Sequence, residues 1–443
     1  MSSTAHDIDT SRSRVITAIA IGNFVEWFEF GLYGYFAVSI STTFFSGKSA
    51  GTALISTFML FGIAFVSRPV GAILFGRYGD RVGRRAALSI SIIGMSIATF
   101  LLGVLPGDQT VGLLAPVLLL LTRLAQGFFA GAEMGGAVTA LAEYAPPGRR
   151  GFYSGWNGFT QLMAQVFAAL IGTLLTSVLT PAALNGWGWR IPFLLALPLG
   201  LLGLYLRTKL AESPEFAAAA HARETTRSPL SDVLRLHWRA LLKVCGLTIG
   251  LTTTTYMLVG FFPSYLVKTV GLTSRQMFAA MLIGLTVAAV LVPVWARLSD
   301  TYGRKPFLVG GTLAVVLLTI PLFYLASSGG FGSALTASVA VAVVLSPLLA
   351  VQGIAAAELF PTAVRFTGVS IGISVVISLM GGSTPLVLEA LVQATGSSVV
   401  PAVYITAAGL LSLVAALLLK GKRGAAAAEV QPGTATTTAP TSP

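Results

Sequence analysis

The chain has little charge, one cysteine and three histidines. Asp, Glu, Lys and Arg make up 10% of its 443 residues, against about a quarter in an ordinary soluble domain. Cys245 stands alone in an apolar run, which excludes a disulfide framework. His6, His221 and His237 fall in polar segments with no metal-ligand spacing, so neither a metal centre nor a histidine-based catalytic set is expected. The glycines of GAEMGG (131–136) lie within an apolar run, without the lysine or the strand–turn–helix setting of a phosphate loop. ATP is therefore not expected as an energy source. The polar N-terminus, MSSTAHDIDTSRSR, lacks a cleavable signal pattern.

What the chain does have is apolar surface. Hydrophobic residues reach 55% and mean hydropathy is +0.83. No soluble fold of this length has enough interior to hide that much apolar area, so lipid must take the rest. Apolar runs near the ~20 residues of a spanning helix recur at roughly 15–38, 52–75, 86–105, 112–142, 152–179, 190–207, 240–263, 276–296, 306–326, 334–357, 366–388 and 399–419. The expected organisation is an all-α membrane protein of twelve spans. It has a cytoplasmic tail at 1–14, a six-helix bundle at 15–207, a polar cytoplasmic linker at 208–239, a second six-helix bundle at 240–420, and a disordered tail at 421–443.

The net charge of +12 reports orientation rather than a nucleic-acid partner. With the N-terminus placed in the cytoplasm, 22 of the 28 Lys and Arg residues fall on the cytoplasmic side. The outer side holds four: Lys48, Arg190, Lys268 and Arg275. That asymmetry is a positive-inside signal with both termini cytoplasmic, as an even number of spans requires.

The two halves repeat. GRYGDRVGRR (76–85) follows the second span and ARLSDTYGRK (296–305) the eighth, aligning Asp80 with Asp300, Gly83 with Gly303, Arg84 with Arg304 and Arg85 with Lys305. AEYAPPGRR (142–150) ends the fourth span and AELFPTAVR (357–365) the tenth. Duplicated six-helix halves place a cavity at their interface near the membrane midplane.

These motifs resemble the major facilitator superfamily. GNFVEWFEFGLYG (22–34), SRPVGAILFGRYGDRVGRR (67–85), RLAQGFFAGAEMGG (123–136), RGFYSGW (150–156) and WGWRIPF (187–193) make the chain similar to its metabolite:proton symporter family. That family includes proline/betaine, α-ketoglutarate, shikimate and citrate symporters. The resemblance implies a proton-coupled symporter of a small polar metabolite, working by alternating access. Glu29 stands where the family usually shows Asp. TTTTY (252–256) and the stretch 156–172 look more like the citrate carrier, which favours an organic acid. A zwitterionic osmolyte such as proline or betaine, or export through the same fold, is the alternative. Residues 421–443 show no heptads, so the C-terminal segment often carried by the proline/betaine type is not expected. The resemblance gives the repeated loops a gating role: Gly76, Asp80, Arg81, Gly83, Arg84 and Arg85, with Asp300, Gly303, Arg304 and Lys305 as counterparts.

Charges within spans carry the chemistry, each costing about 2.5–3.5 kcal/mol or more at a helix centre. Glu26 and Glu29 share a face of the first span at i, i+3; Arg123 and Glu133 lie on the fourth. The expectation is a Glu29–Arg123 contact that exchanges a proton, with Glu26 and Glu133 either taking part in the coupling or only orienting the pair. Arg123 is expected to meet an anionic substrate group, since a guanidinium matches a carboxylate in bidentate geometry. Gln126, Tyr33, Asn157, Gln161, Gln165, Thr252, Thr253, Tyr256 and Gln352 are candidates to line the site; for each, interhelical hydrogen bonding is the rival role. Arg68 is expected to snorkel or to pair with an acid near the cytoplasmic end of the second span rather than to bind substrate, and Glu389 to be exposed. Protons, a small-molecule substrate and the lipid bilayer are the expected partners of a monomer in the inner membrane, with no cofactor.

Overall fold

The computed structural model describes residues 20–82, 84–131, 141, 145, 146, 148–208 and 229–419. Among them there is no strand, and twelve long helices succeed one another, with short helices at Asp108–Val111, Pro181–Gly186 and Pro229–Leu236 between them. They are α1 (20–44, interrupted at Phe36), α2 (Ala50–Val82), α3 (Arg84–Val104), α4 (Leu114–Ala130), α5 (Arg150–Val178) and α6 (Gly188–Leu206). The second set is α7 (Trp238–Lys268), α8 (Ser274–Tyr302), α9 (Lys305–Ser327), α10 (Phe331–Glu358), α11 (362–395) and α12 (Val400–Leu417). Ten are long and apolar enough to cross a membrane, and α4 is a shorter apolar helix. Large apolar side chains such as Leu113, Val178 and Tyr324 stand exposed, as they must on a surface whose solvent is lipid. The protein is a multi-pass membrane protein.

Local sequence explains several boundaries. α8 starts on a capping box: Thr273 Oγ1 accepts from Gln276 N at 3.3 Å, and Gln276 Oε1 accepts from Thr273 N at 3.0 Å. Gly303, at φ +85°, takes the left-handed turn that ends it. α7 and α11 each pass through a π-helical turn, Met257–Phe261 and Ile377–Gly381. Such turns shift the helix register and recur at functional sites.

The halves meet along two matched seams, α5 on α8 and α2 on α11. Advancing each helix by six exchanges the two seams, so the internal duplication is visible in the packing. Small residues let the backbones close. At Gly62, against Gly382, an added Cβ would lie 2.7 Å from the Gly382 carbonyl oxygen; any larger residue would wedge the seam apart.

The two ends of the bundle differ. At one end the start of α5 meets the end of α8, and Lys305, Arg304 and Arg365 gather there. This is the basic end. At the other, Asp108 accepts from Ser46 N at 2.6 Å, and Arg190 Nη1 donates to the carbonyls of Gly103 and Leu105. The expected linker at 208–239 is described only in part: α-helix covers Pro229–Leu236, and 209–228 lie outside the described residues.

Candidate substrate and coupling site

Glu26 and Glu29 do not act on one face. Three residues of α-helix turn the chain to within about 60° of a full circle, and that offset sends the two carboxylates to different neighbours. Glu26 forms an ion pair with Arg68 of α2. Glu29, 1% exposed, turns to α3, where it accepts hydrogen bonds from Ser96 Oγ at 2.6 Å and from Thr99 Oγ1.

Arg123 does not reach Glu29 directly, which corrects the expected contact. Two side chains stand between them. Arg123 Nη1 donates to Gln126 Oε1 at 2.5 Å, and Gln126 Nε2 donates to Thr99 Oγ1 at 2.6 Å. A relay Glu29–Thr99–Gln126–Arg123 therefore spans α1, α3 and α4. Arg123 has no exposed surface. Its guanidinium lies over the rings of Tyr33, Phe61 and Phe30 at 4.2, 5.3 and 5.4 Å, a box that replaces hydration with cation–π contact. Tyr33 Oη in turn donates to the Thr57 carbonyl at 3.1 Å.

A cavity of about 120 Å³ lies between the halves. The first half contributes Asn23, Glu26, Trp27, Arg68, Ser154, Asn157 and Gln161; the second contributes Thr248, Leu251, Thr252, Thr255, Tyr256, Leu349, Gln352, Gly353, Ile373 and Ile377. Among these, Arg68 is the one cation and Glu26 the one anion. Asn157, Gln161, Thr252, Tyr256 and Gln352 are thus brought together as the sequence suggested. Gln352 Nε2 donates to Thr248 Oγ1 at 2.7 Å. Arg123, Gln126, Tyr33, Gln165 and Thr253 are placed elsewhere. Gln165 Nε2 donates to the Trp27 carbonyl at 2.6 Å and fastens α5 to α1. Thr253 Oγ1 bonds the Ile249 carbonyl of its own helix. For Thr253 the intrahelical bond accounts for the polarity; Gln165 keeps a buried Oε1 with no hydrogen-bond partner among the described residues.

For Arg68 the structure takes the acid-pairing alternative, with Glu26, and for Glu389 the expected exposure needs correction. Arg68 is 3% exposed and does not snorkel; its guanidinium packs over Phe30 and Phe65 at 4.6 and 4.9 Å, at the cavity wall. Burial there is possible because Glu26 neutralises it and two rings shield it. Glu389 is 8% exposed rather than wet; Gln393 Nε2 donates to it at 2.8 Å from one turn on.

At the basic end, Asp300 of the second half caps a helix of the first. Its carboxylate accepts from Gly151 N at 2.7 Å and Phe152 N at 2.9 Å, in the first turn of α5. An anion there meets both unpaired N–H groups and the positive end of the helix dipole. Arg304 holds Asp300 at 2.9 Å and Glu358 at 3.3 Å. Lys305 Nζ donates to the carbonyls of Leu417 and Leu419 at the end of α12. Glu133 and Gly83 lie outside the described residues, as do the side chains of Gly76, Asp80, Arg81, Arg84 and Arg85.

The Major Facilitator Superfamily profile matches residues 19–385. The chain belongs to the major facilitator superfamily. As a major facilitator protein it is a membrane transporter, not an enzyme. It is 37% identical over 426 residues to the glycine betaine/proline/ectoine/pipecolic acid transporter of Dickeya dadantii, covering 93% of this chain and 84% of that one. It is 35% identical over 410 residues to the citrate-proton symporter of Klebsiella pneumoniae, covering 92% of each. The fold matches that of the xylose transporter of E. coli in a partially occluded inward-open form, with a TM-score of 0.71 at 16% identity, covering 94% of this chain and 99% of that one.

Several residues of this major facilitator site carry no separate signal in the sequence. Ser96 and Thr99 are one turn apart in an otherwise apolar run, and only the fold shows that they face Glu29. Arg68 was visible as a charge within a span; its partner was not. Trp27 and Asn23 lie one turn apart on α1, on the face that Glu26 shares, and that spacing could have found them.

Proposed function

We propose that the protein is a proton-coupled symporter of a small zwitterionic solute of the proline or betaine type. The observation that carries this reading is the charge balance of the cavity. Arg68 and Glu26 face it together, so among the described residues its lining is neutral and offers one site of each sign. A zwitterion matches both. A tricarboxylate would bring several negative charges against a single arginine that already has a counter-ion, an arrangement costly in a low-dielectric site. The volume points the same way: about 120 Å³ holds a small solute, while drug-sized ligands take pockets of roughly 300–1,000 Å³. That weighs against export of bulky amphipaths. The relative from Dickeya dadantii, named for glycine betaine, proline, ectoine and pipecolic acid, supports the substrate class. The relative from Klebsiella pneumoniae keeps organic acids as the second reading. The sequence alone ranked organic acids first; the paired charges reverse that order.

Proton coupling is assigned to Glu29 and its relay. The carboxylate is removed from the cavity, and hydroxyl donors stabilise it when charged. Arg68 and Arg123 both lie over one ring, Phe30, at 4.6 and 5.4 Å. A substrate carboxylate that draws on Arg68 disturbs that shared ring and, through it, the relay to Glu29. The proton is the coupling ion, with no other cofactor and no ATP. Alternating access moves the two halves about the cavity, and release of Asp300 from α5 opens the basic end. That end faces the cytoplasm in the inner (plasma) membrane, with both termini on the same side, and the protein acts as a monomer.

The test is uptake into proteoliposomes under an imposed proton gradient, using labelled glycine betaine, proline, citrate, α-ketoglutarate and shikimate. Uptake of betaine or proline, abolished by a protonophore, is the expected result. Uptake of citrate alone would overturn the substrate class, and uptake indifferent to the protonophore would overturn the coupling.

A further inference from the structure

We propose that the cavity binds its zwitterion in one orientation, with the carboxylate on Arg68 and the alkylated ammonium against an aromatic wall formed by Trp27 and Tyr256, one ring from each half. The proposal rests on the zwitterion reading above and adds which group goes where.

Three observations carry it. First, the arginine has unspent donors. Arg68 is 3% exposed, its Nη2 is engaged by Glu26, and its Nε has no hydrogen-bond partner. A buried guanidinium N–H without an acceptor is costly, and an incoming carboxylate would satisfy it. Thr255 Oγ1, on the same cavity, is likewise without a partner and can donate to the other carboxylate oxygen.

Second, the wall beside it is aromatic and uncharged. Trp27 and Tyr256 line the cavity, with ring centroids 5.7 Å apart and planes inclined at 40°. Tyr256 is set in place by Phe65, edge-on at 5.3 Å, and by Gly381, where an added Cβ would lie 2.8 Å from the tyrosine ring. Indole and phenol faces attract a cation whose charge is spread over methyl or ring carbons, because such an ion is cheap to desolvate and offers no N–H to satisfy. Among the described residues the lining near these rings supplies one carboxylate, Glu26, and Arg68 pairs with it. A primary ammonium would want that carboxylate; a quaternary one would not.

Third, the spacing selects a short zwitterion. Arg68 lies over Phe65 at 4.9 Å, and the same Phe65 ring packs on Tyr256. Arg68 also interacts directly with the Tyr256 side chain, so anion seat and cation wall are adjacent, which suits a carboxylate on the carbon adjacent to the nitrogen.

The wall also has a mechanical consequence. Trp27 belongs to α1 and Tyr256 to α7, so the cation seat is complete only while the halves meet at that level. Just beyond it toward the non-basic end, α1 touches α7 again: a Cβ on Gly34 would strike the Val259 carbonyl. A cation seated on both rings favours the closed arrangement by its differential affinity for that state, so the substrate itself would draw the halves together.

The experiment compares glycine betaine with tert-butylacetate, its carbon isostere, which has the same shape and carboxylate but no positive charge. Both are measured as ligands of the full-length purified protein by equilibrium dialysis. The wild-type protein is expected to bind betaine about tenfold more tightly than the isostere, within the range of a desolvated cation–π contact. Trp27→Leu should shrink that ratio toward unity, and Trp27→Phe should restore part of it. Equal binding of betaine and isostere by the wild type would overturn the orientation while leaving zwitterion transport intact. An unchanged ratio in Trp27→Leu would remove the aromatic wall from the explanation. Binding of citrate with no binding of betaine or proline would instead bring down the substrate reading on which the proposal stands. The isostere comparison needs no variant, so a poorly folded mutant cannot rescue the idea.

Discussion

Arg68 and Arg123 lie on neighbouring helices over the same phenylalanine, yet they solve the problem of a buried cation differently. Arg68 takes a carboxylate partner and keeps one face on the cavity. Arg123 takes a neutral amide, a carbonyl and three rings, and gives up contact with the cavity altogether. The pairing leaves Arg68 able to exchange Glu26 for another carboxylate. The box leaves Arg123 fixed, passing its charge to Glu29 only through Gln126 and Thr99. In the proposed reading, the substrate arginine and the arginine of the Glu29 relay share one aromatic ring, Phe30.

The largest effect should come from Arg68. Arg68→Ala breaks the buried pair with Glu26, a loss worth about 3–5 kcal/mol, and removes the anion seat. Uptake should fall more than about 100-fold (~2.7 kcal/mol on the tenfold-per-1.4 scale), together with the amount of folded protein in the membrane. Arg68→Lys keeps the charge but loses the planar fork; uptake rates normalised to protein should drop about tenfold with near-normal expression. Normal uptake in Arg68→Lys would mean that the fork plays no part in recognition.

Glu29→Gln tests the other side of the comparison. The amide keeps the shape of the side chain and cannot carry a proton. Uphill accumulation should collapse to the equilibrium ratio, while counterflow exchange of labelled for unlabelled substrate persists. Normal accumulation in this variant would move the coupling site elsewhere, with Glu26 the next residue to examine.

The relay between them is expected to matter less than its ends. Thr99→Val removes a donor to Glu29 and an acceptor for Gln126, each loss worth about 1–3 kcal/mol when the partner stays buried. Accumulation should weaken by tenfold or more, and Thr99→Ser, which restores the hydroxyl, should recover it. A purely structural role for Thr99 would depress exchange and accumulation together; the relay predicts that accumulation suffers first.

Much of this architecture was legible in the chain, and the reasons are physical. Lipid demands long apolar helices, so each span announces itself; duplication leaves matching loops, so 76–85 and 296–305 reveal the halves. Asn157, Gln161, Thr252, Tyr256 and Gln352 stood out because polar groups in lipid need a reason to be there. What the chain hid was partnership. Glu26 and Glu29 look equivalent at i, i+3, and only the positions of α2 and α3 decide that one meets Arg68 and the other meets Ser96 and Thr99. Arg123 looked like the substrate arginine because it is central in its span, but Tyr33, Phe61 and Phe30 close over it from two other helices. Such contacts depend on helix rotation, which apolar periodicity in a lipid-facing bundle does not fix.

The smallest expected change is at the basic end, far from both arginines. Asp300 binds α5 through two backbone N–H groups and is itself held by Arg304. Asp300→Asn retains one acceptor oxygen but loses the charge. A charge at a helix N-terminus contributes roughly 0.3–1 kcal/mol, up to ~2 kcal/mol when partly buried, so the balance between closed and open basic ends should shift by about threefold to tenfold. The shift can be read without measuring transport. In a Cys245→Ala background, Ser154→Cys places a thiol on the cavity wall, and its reaction with a membrane-impermeant reagent added from the basic side should accelerate by that factor in Asp300→Asn. An unchanged labelling rate would show that Asp300 only finishes a helix. A faster rate with unaltered betaine affinity would show that the gate and the Arg68 site contribute separately to the transport cycle.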